Sequence, residues 1–257
     1  INAFAKSNGE AIRLISGAVG EGAQLVVKPE ITTVDQLKGT TIATPQAGNT
    51  QDIALKKFLP ENGLAIGEGP DAVTIANLDN PRTLDAFRNG DVDGGWLPEP
   101  WSSRLVLDAG ATVLVDEKTL WPDGKFPTTV VIVRTEFLKQ YPGTVTALLR
   151  AHLAAIDEIN SDPARAKTLV NQGLKKLTGN ELPGPVIDRA FSNISIGPDP
   201  IASTFPQLAQ DSVTAGITKE PTNLAGFADL TLLNAELTAA GKPPVDAAGL
   251  DKPGGTG

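Results

Sequence analysis

The chain has 257 residues, of which 40% are apolar, and a formal net charge of -8 at pH 7. This is enough apolar material to bury one large core or two smaller ones. The acidic balance, with no basic stripe, argues against binding to nucleic acid or to an anionic membrane surface. The chain has no Cys, which excludes disulfides, thiolate metal sites and cysteine nucleophiles.

The start of the sequence suggests a protein that is processed or longer than this chain. There is no Met, and the opening stretch Ile1-Asn2-Ala3 reads as a helix entered midway. We therefore expect any export signal or lipid anchor to lie upstream. No 18-residue apolar run is present, so the sequence predicts no membrane span. Residues 251–257 have no apolar side chain to bury, and we expect a disordered tail over 246–257.

Strands and helices alternate through the first half of the chain. Predicted strands, rich in branched residues, cover 12–16, 24–28, 40–44, 92–97, 112–115 and 128–134. Predicted helices cover 34–39 (a single turn), 51–59, 81–89 and 101–108. Asn80 is expected to cap the third of these, with Pro81 at its first helical position. This alternation predicts βαβ units and an α/β fold.

The second half of the chain, from Thr135 onward, is predicted to be mainly helical. The predicted helices cover 143–160, 162–176, 183–192, 205–216 and 224–240. No strand is predicted in this region, so it has no sheet of its own. We expect it to pack on the α/β part that precedes it.

The loop Gly48-Asn49-Thr50 lies between a predicted strand and a predicted helix. The first N–H groups of a helix have no intrahelical partner and carry partial positive charge, so an anion can bind there with help from the Asn49 and Thr50 side chains. The alternative is that Asn49 or Thr50 only caps the helix. Asp52 in the first turn competes with an anion. Gln46 is a weaker candidate, with a solvated loop side chain as its alternative.

The stretch Trp96-Leu-Pro-Glu-Pro-Trp101 places Glu99 between two prolines that restrict its backbone. The indole rings can form a wall for an alkyl group, and Glu99 needs a cation or a ligand amine as its partner. Alternatively, both Trp residues are core and Glu99 complements a helix start. Of the two, we expect Trp101 to belong to the core. Thr128 and Thr129 can present hydroxyls to a cleft, or can simply be good strand residues.

Neither a metal site nor a catalytic centre is predicted. His152 is the only histidine and lies on a predicted helix, where a structural role is expected. Asp91 and Asp93 share one strand face, but no further ligands cluster near them, which favours a solvated face. No cofactor is expected.

Three segments, in this order, resemble the substrate-binding proteins of ABC importers for aliphatic sulfonates, taurine, nitrate and bicarbonate. They are Leu37-Lys-Gly-Thr-Thr-Ile-Ala-Thr-Pro45 with Gly48-Asn-Thr-Gln51, Leu84-Asp-Ala-Phe-Arg-Asn-Gly-Asp-Val-Asp-Gly94 with Trp96-Leu-Pro-Glu-Pro-Trp101, and Thr128-Thr-Val-Val-Ile-Val133 with Phe137-Leu and Pro142. The resemblance covers about residues 1–240 and is greatest to the aliphatic-sulfonate group. The chain lacks the strand, ligand-contacting loop and helix with which the family begins.

The resemblance implies a type II periplasmic-binding-protein fold with two α/β lobes and a helical C-terminal region. Lobe 1 would comprise 1–22 plus 130–245 and lobe 2 would comprise 23–129, with two crossings acting as a hinge. It also implies a small organic anion, an aliphatic sulfonate first, bound in the cleft by Gln46, Gly48, Asn49, Thr50, Glu99, Trp101, Thr128 and Thr129.

Further expectations concern partners and location. They are a membrane ABC permease as partner, no nucleic acid, a monomer, and a periplasmic or extracellular location, with a lipid anchor if one lies upstream. The alternatives are a same-fold enzyme of the thiamine-precursor or desulfination type, a binding protein for nitrate or bicarbonate, and an interaction module without a ligand. A fold does not fix a function. The lack of Cys and the single helical His argue against the enzyme.

Overall fold

The computed structural model describes residues 1–252 and shows a mixed α/β architecture with two sheets, as the sequence predicts. The strands are β1 Ile12–Glu21, β2 Ala23–Val27, β3 Thr41–Thr44, β4 Ala65–Ile66, β5 Ala72–Asn77, β6 Gly94–Pro98, β7 Thr112–Asp116, β8 Pro127–Arg134 and β9 Ile194–Ile196. The helices are α1 Asn2–Lys6, α2 Thr50–Glu61, α3 Asn80–Asn89, α4 Trp101–Ala109, α5 Thr135–Gln140, α6 Pro142–Ser161, α7 Pro163–Thr178, α8 Gly184–Asn193, α9 Phe205–Thr214 and α10 Thr231–Ala239. Short 3-10 turns cover Val34–Leu37, Glu117–Leu120, Pro122–Gly124 and Ala202–Thr204.

The six-stranded sheet has the order β4-β5-β3-β6-β2-β7. The neighbours from β4 to β6 are parallel, whereas β2 runs antiparallel to both β6 and β7. One of its apolar clusters gathers around Leu55 and Trp96 and another around Leu84 and Leu105. Helices therefore cover both faces, as expected where parallel strands are joined by helical crossovers.

The three-stranded sheet has the order β8-β1-β9, with both pairings antiparallel. Its core includes Leu14 and the ring of Phe227, with Leu149 from α6 and Leu233 from α10. The chain leaves this sheet at Glu21 and returns to it in β8 after passing through the six-stranded sheet. The division into lobes at residues 23 and 129 stays a prediction.

Three local expectations from the sequence are corrected. Asp79, not Asn80, caps α3, because its carboxylate accepts a hydrogen bond from the Arg82 N–H at 3.0 Å. Strand β5 was not predicted, although it pairs in parallel with β3 along the whole length of β3 and with β4 at its own start. The C-terminal half is mainly helical, as predicted, but it also contributes the unpredicted strand β9, which pairs with the end of β1.

The last predicted helix begins later than its sequence pattern suggests. Residues 224–230 are not helical, since the Phe227 carbonyl accepts from the Leu14 N–H and the Asp229 N–H donates to the Leu14 carbonyl. This backbone pairing with β1 competes with the helical hydrogen bonds of the segment. Helix α10 then starts at Thr231.

Residues 246–252, expected to belong to a tail, are part of the fold. Leu250 is buried in the core of the three-stranded sheet, and its carbonyl accepts from the Ala228 N–H. The rest of the predicted tail, 253–257, lies outside the described residues. Within residues 1–252, no helix combines the length and the apolar character needed to cross a membrane.

Candidate functional site

The structure separates the predicted site residues into two groups. Gln46, Gly48, Asn49 and Thr50 lie together at the start of α2. Glu99, Thr128 and Thr129 line a common pocket beside the ends of β1 and β8. Trp101 begins α4 and is not among the residues that line this pocket.

At the start of α2, Asn49 is the helix cap. Its Oδ1 accepts a hydrogen bond from the Asp52 N–H at 2.9 Å, and its own N–H donates to the Gln46 carbonyl at 3.2 Å. The capping alternative for Asn49 is therefore observed. The N–H groups of Thr50 and Gln51 have no hydrogen-bond partner among residues 1–252, and Thr50 is exposed. They are free donors at the positive end of the helix dipole.

Asp52 lies just inside this helix start and is fully buried. Its carboxylate accepts from the Gly48 N–H at 2.8 Å, from Lys56 Nζ at 2.7 Å, and from the side chains of Thr44 and Asn77 at 3.0 Å. Burial raises the pKa of Asp52, but these hydrogen bonds outweigh burial and hold the pKa below its usual value. Asp52 therefore shapes the Gly48 turn, and Lys56 offsets the charge that would repel an anion.

Glu99 has a partner within the protein. Its side chain is 4% exposed, and it accepts hydrogen bonds from Arg189 Nη1 at 3.1 Å, Asn193 Nδ2 at 2.6 Å and the Ser103 N–H at 3.2 Å. Arg189 also donates to the Ser103 hydroxyl and to the side chain of Gln24, both at 2.8 Å. The cation that the sequence required for Glu99 is thus Arg189, which joins α8 to α4 and β2.

The pocket that Glu99 lines, here called the apolar pocket, has a volume of about 290 Å³. Its walls come from the ends of β1 and β8, the Glu99-Pro100 turn, α7, α8 and β9. Besides Glu99, Thr128 and Thr129, the pocket is lined mainly by Val19, Val170, Leu174, Ile187, Phe191 and Ile194. The Thr128 hydroxyl donates to the Glu21 carbonyl. Thr129 is exposed.

The two indoles that flank Glu99 do not form one wall. Trp96 is completely buried, and its Nε1 donates to Glu117 at 2.6 Å. Trp101 is half-buried, with the Arg104 guanidinium 4.7 Å from its ring centroid. This reverses the expectation that Trp101 is the more buried of the two, because Trp96 lies on a central strand. The N–H of Trp96 is thus already used within the protein.

Sequence reasoning missed Glu117, which is buried and receives both the Trp96 and the Trp121 indole N–H groups. Burial, with smaller contributions from the nearby Asp116 and Asp211 charges, raises the pKa of Glu117 to about 7, because together they outweigh the two indole hydrogen bonds. A carboxyl at the first position of a short 3-10 turn gives no local sequence signal of this burial.

A second ion pair joins α2 to α9. Lys57 Nζ lies 3.1 Å from Oδ1 of Asp211 and donates to Oδ2 at 3.2 Å, and the same Oδ1 accepts from Gln207 at 2.6 Å. A cleft of about 770 Å³ beside this pair is lined by residues such as Lys57, Trp121 and Gln207. Of the described residues that line the cleft, none belongs to the predicted site.

The remaining titratable candidates have structural partners. Nε2 of His152 is 2.8 Å from the Gly17 carbonyl. Asp93 pairs with Lys28 Nζ at 2.6 Å and accepts from the Thr41 N–H at 2.8 Å. Over residues 1–252, no three His, Cys, Asp or Glu side chains are grouped so that they could hold a metal ion.

The model of the NMT1-like family matches residues 3–172. The chain belongs to this family. Among curated relatives, it is 29% identical over 150 residues to the taurine-binding periplasmic protein of Escherichia coli strain K12, which covers 58% of this chain and 45% of that protein. It is 31% identical over 156 residues to the putative aliphatic sulfonates-binding protein of Bacillus subtilis strain 168, and this match covers 53% of this chain and 45% of that protein. The matches thus span less than half the length of these relatives.

Solved structures share the fold. The alkanesulfonate-binding protein SsuA of Xanthomonas axonopodis pv. citri, bound to MOPS, aligns with a TM-score of 0.65 and 21% identity over 86% of this chain and 75% of that chain. The periplasmic nitrate-binding protein NrtA of Synechocystis PCC 6803 aligns with a TM-score of 0.68 and 15% identity, covering 89% of this chain and 67% of that chain. The desulfurization enzyme DszB aligns with a TM-score of 0.58 and 17% identity, covering 90% of this chain and 80% of that chain. These structures confirm the predicted periplasmic-binding-protein fold. The family model and the curated relatives confirm the resemblance to the sulfonate, taurine and nitrate group.

Proposed function

We propose that this chain forms part of an extracytoplasmic solute-binding subunit of an ABC importer that captures a small organic anion. An aliphatic sulfonate is the leading candidate for this ligand. The relatives named for taurine and for aliphatic sulfonates support this ligand class. The observation that carries the proposal is the start of α2, where the Thr50 and Gln51 N–H groups are free and Lys56 compensates the Asp52 charge. A sulfonate can accept hydrogen bonds from both N–H groups and from the Thr50 hydroxyl.

The other residues of this loop act on its shape. The Asn49 side chain is used as the cap, and the Gly48 N–H is used by Asp52. Gly48 has a φ of 74°, a conformation that favours glycine. We assign direct contact with the ligand to Thr50 and the two free N–H groups, and the positioning of this loop to Gly48 and Asn49. Gln46 is exposed next to the loop and remains a candidate contact.

The proposal extends to the whole protein. It includes a periplasmic or extracellular location, a monomeric state, docking to a membrane permease, and closure of lobes 1–22 plus 130–245 and 23–129 about the two crossings. Relatives that are named as periplasmic binding proteins support the location.

We also propose that the protein binds its ligand without converting it. DszB shares the fold, so the fold does not separate the two classes. Incubation with a sulfonate followed by analysis for its desulfonated product separates them. Product formed at a rate that depends on the protein would replace capture by catalysis.

The test is a thermal-stability screen of the full-length protein against ethanesulfonate, taurine, nitrate and bicarbonate. A ligand at 100-fold its dissociation constant adds about 2.7 kcal/mol to the free energy of unfolding. We expect this gain with a sulfonate, and its loss in Thr50→Ala. Thr144→Ala, an exposed threonine in the first turn of α6, is the matched control. No gain with any of the four anions in a folded protein would refute anion capture.

A further inference from the structure

The apolar pocket is open to solvent although its walls are apolar. Of the residues that line it, Ile187 on α8 is 6% exposed, whereas Val170 on α7 is 41% exposed. Ile194 of β9 and Leu174 of α7 also line it and are half-buried. Apolar surface left in contact with water favours a ligand that covers it.

Two of the polar side chains that line this pocket, Glu99 and Thr128, already have partners within the protein, whereas Glu21 adds a second carboxylate to the lining. Glu99 receives hydrogen bonds from Arg189, Asn193 and the Ser103 N–H, and the Thr128 hydroxyl donates to the Glu21 carbonyl. Both terminal nitrogens of Arg189 are engaged with Glu99, Ser103 and Gln24. An anion entering this pocket would therefore meet a carboxylate and no free cation, so the pocket disfavours anions.

We propose that the apolar pocket is a second binding site, which takes a neutral, apolar ring compound. The volume of the pocket, about 290 Å³, limits the size of the ligand that it can hold. An apolar cavity of about 150 Å³ accommodates benzene, so this pocket has room for about two fused rings. The residues that line it do not include those at the start of α2, so the two sites share no lining residue.

The experiment is a titration of the full-length protein with naphthalene, followed by methyl NMR. We expect saturable ring-current shifts at the methyl groups of Val170, Leu174 and Ile187, with no change at the Thr50 and Gln51 amides. Naphthalene-2-sulfonate, which differs only in its anionic group, is expected to bind this pocket at least about tenfold more weakly, since an unpaired charge is costly in an apolar site.

Val170→Asp places a charge at the open wall and is expected to weaken naphthalene binding by about tenfold. Leu177→Asp is the control, because Leu177 lies on the same helix and is 84% exposed. Equal affinity in both variants would overturn the proposal. So would the absence of shifts at the pocket in a well-dispersed spectrum, or equal binding of the sulfonate there. Because the anion site is followed at separate amides, either site can fail without the other.

Discussion

Arg189 on α8 and Glu99 at the start of α4 form an ion pair with an N–O distance of 3.1 Å, and their side chains are only 21% and 4% exposed. The two residues are 90 positions apart. A carboxylate as buried as Glu99 is stable only with partners, and the arginine also ties Ser103 and Gln24 into the same network. This pair makes the contact between the C-terminal helices and the six-stranded sheet specific.

Removal of Arg189 should show how strongly the buried Glu99 carboxylate depends on this partner. We expect Arg189→Met to lower the free energy of unfolding by about 3 kcal/mol, because it leaves Glu99 buried without a cation. Adding Glu99→Gln should recover part of that loss. Urea unfolding measures both effects, and Lys167→Met, which breaks the more exposed Lys167–Asp188 pair, should cost less than about 1 kcal/mol. Similar losses in Arg189→Met and Lys167→Met would contradict the prediction.

Glu117 predicts a pH dependence of stability. Its pKa in the folded protein is about 7 against an ordinary 4.5, so the folded state binds the proton more tightly than the unfolded state. This group therefore costs stability as the pH rises from about 4.5 through 7, by about 3 kcal/mol once it is fully ionised. At pH 8, Glu117→Gln should unfold at a higher urea concentration than the parent protein. At pH 5, this gain over the parent should be smaller. Glu136→Gln, an exposed control, should follow the parent.

Asp52 predicts a pH dependence of stability that is opposite to that of Glu117. Its pKa is lowered in the folded protein, so its contribution is present above its ordinary value of 3.8 and is lost as the pH falls through the folded pKa. We expect Asp52→Asn to destabilise the protein by about 2 kcal/mol at pH 7 and by less at pH 3, where the pH is already below the ordinary pKa of 3.8 and the contribution of the charged Asp52–Lys56 pair has begun to fall. Urea unfolding at the two pH values measures this. A loss of equal size at both would show that Asp52 acts through its shape alone.

Gly17 predicts a steric limit at β1. A Cβ at this position would lie 2.1 Å from the Asp199 carbonyl oxygen, and the Gly17 N–H donates to the Pro198 carbonyl at 2.7 Å. Gly17→Ala should therefore destabilise by at least about 2 kcal/mol. Gly143→Ala on α6, where a Cβ meets nothing within 4 Å, should be neutral or slightly stabilising. Thermal melts of the two variants give the comparison, and a Gly17→Ala protein as stable as the parent would rule out this close approach.

The sequence alone determined the features that depend on neighbouring residues. The branched runs gave the strands β1, β2 and β8, and Asn49 before α2 was a recognisable cap. Family motifs also lie in continuous segments, so the fold was predictable from them. Strand β5 was missed although its β-branched run Val73-Thr-Ile75 is a local strand signal.

Only the tertiary structure decided how these segments use their polar and aromatic groups. Trp96 and Trp101 are five positions apart with similar flanking prolines, yet the central strand buries the first and the helix start leaves the second half-buried. The partner of Glu99 and the burial of Glu117 depend on helices and turns that the chain brings together from distant positions. Local patterns report contacts within a few residues. The burial and pairing of a charge depend on surroundings that only the folded chain supplies.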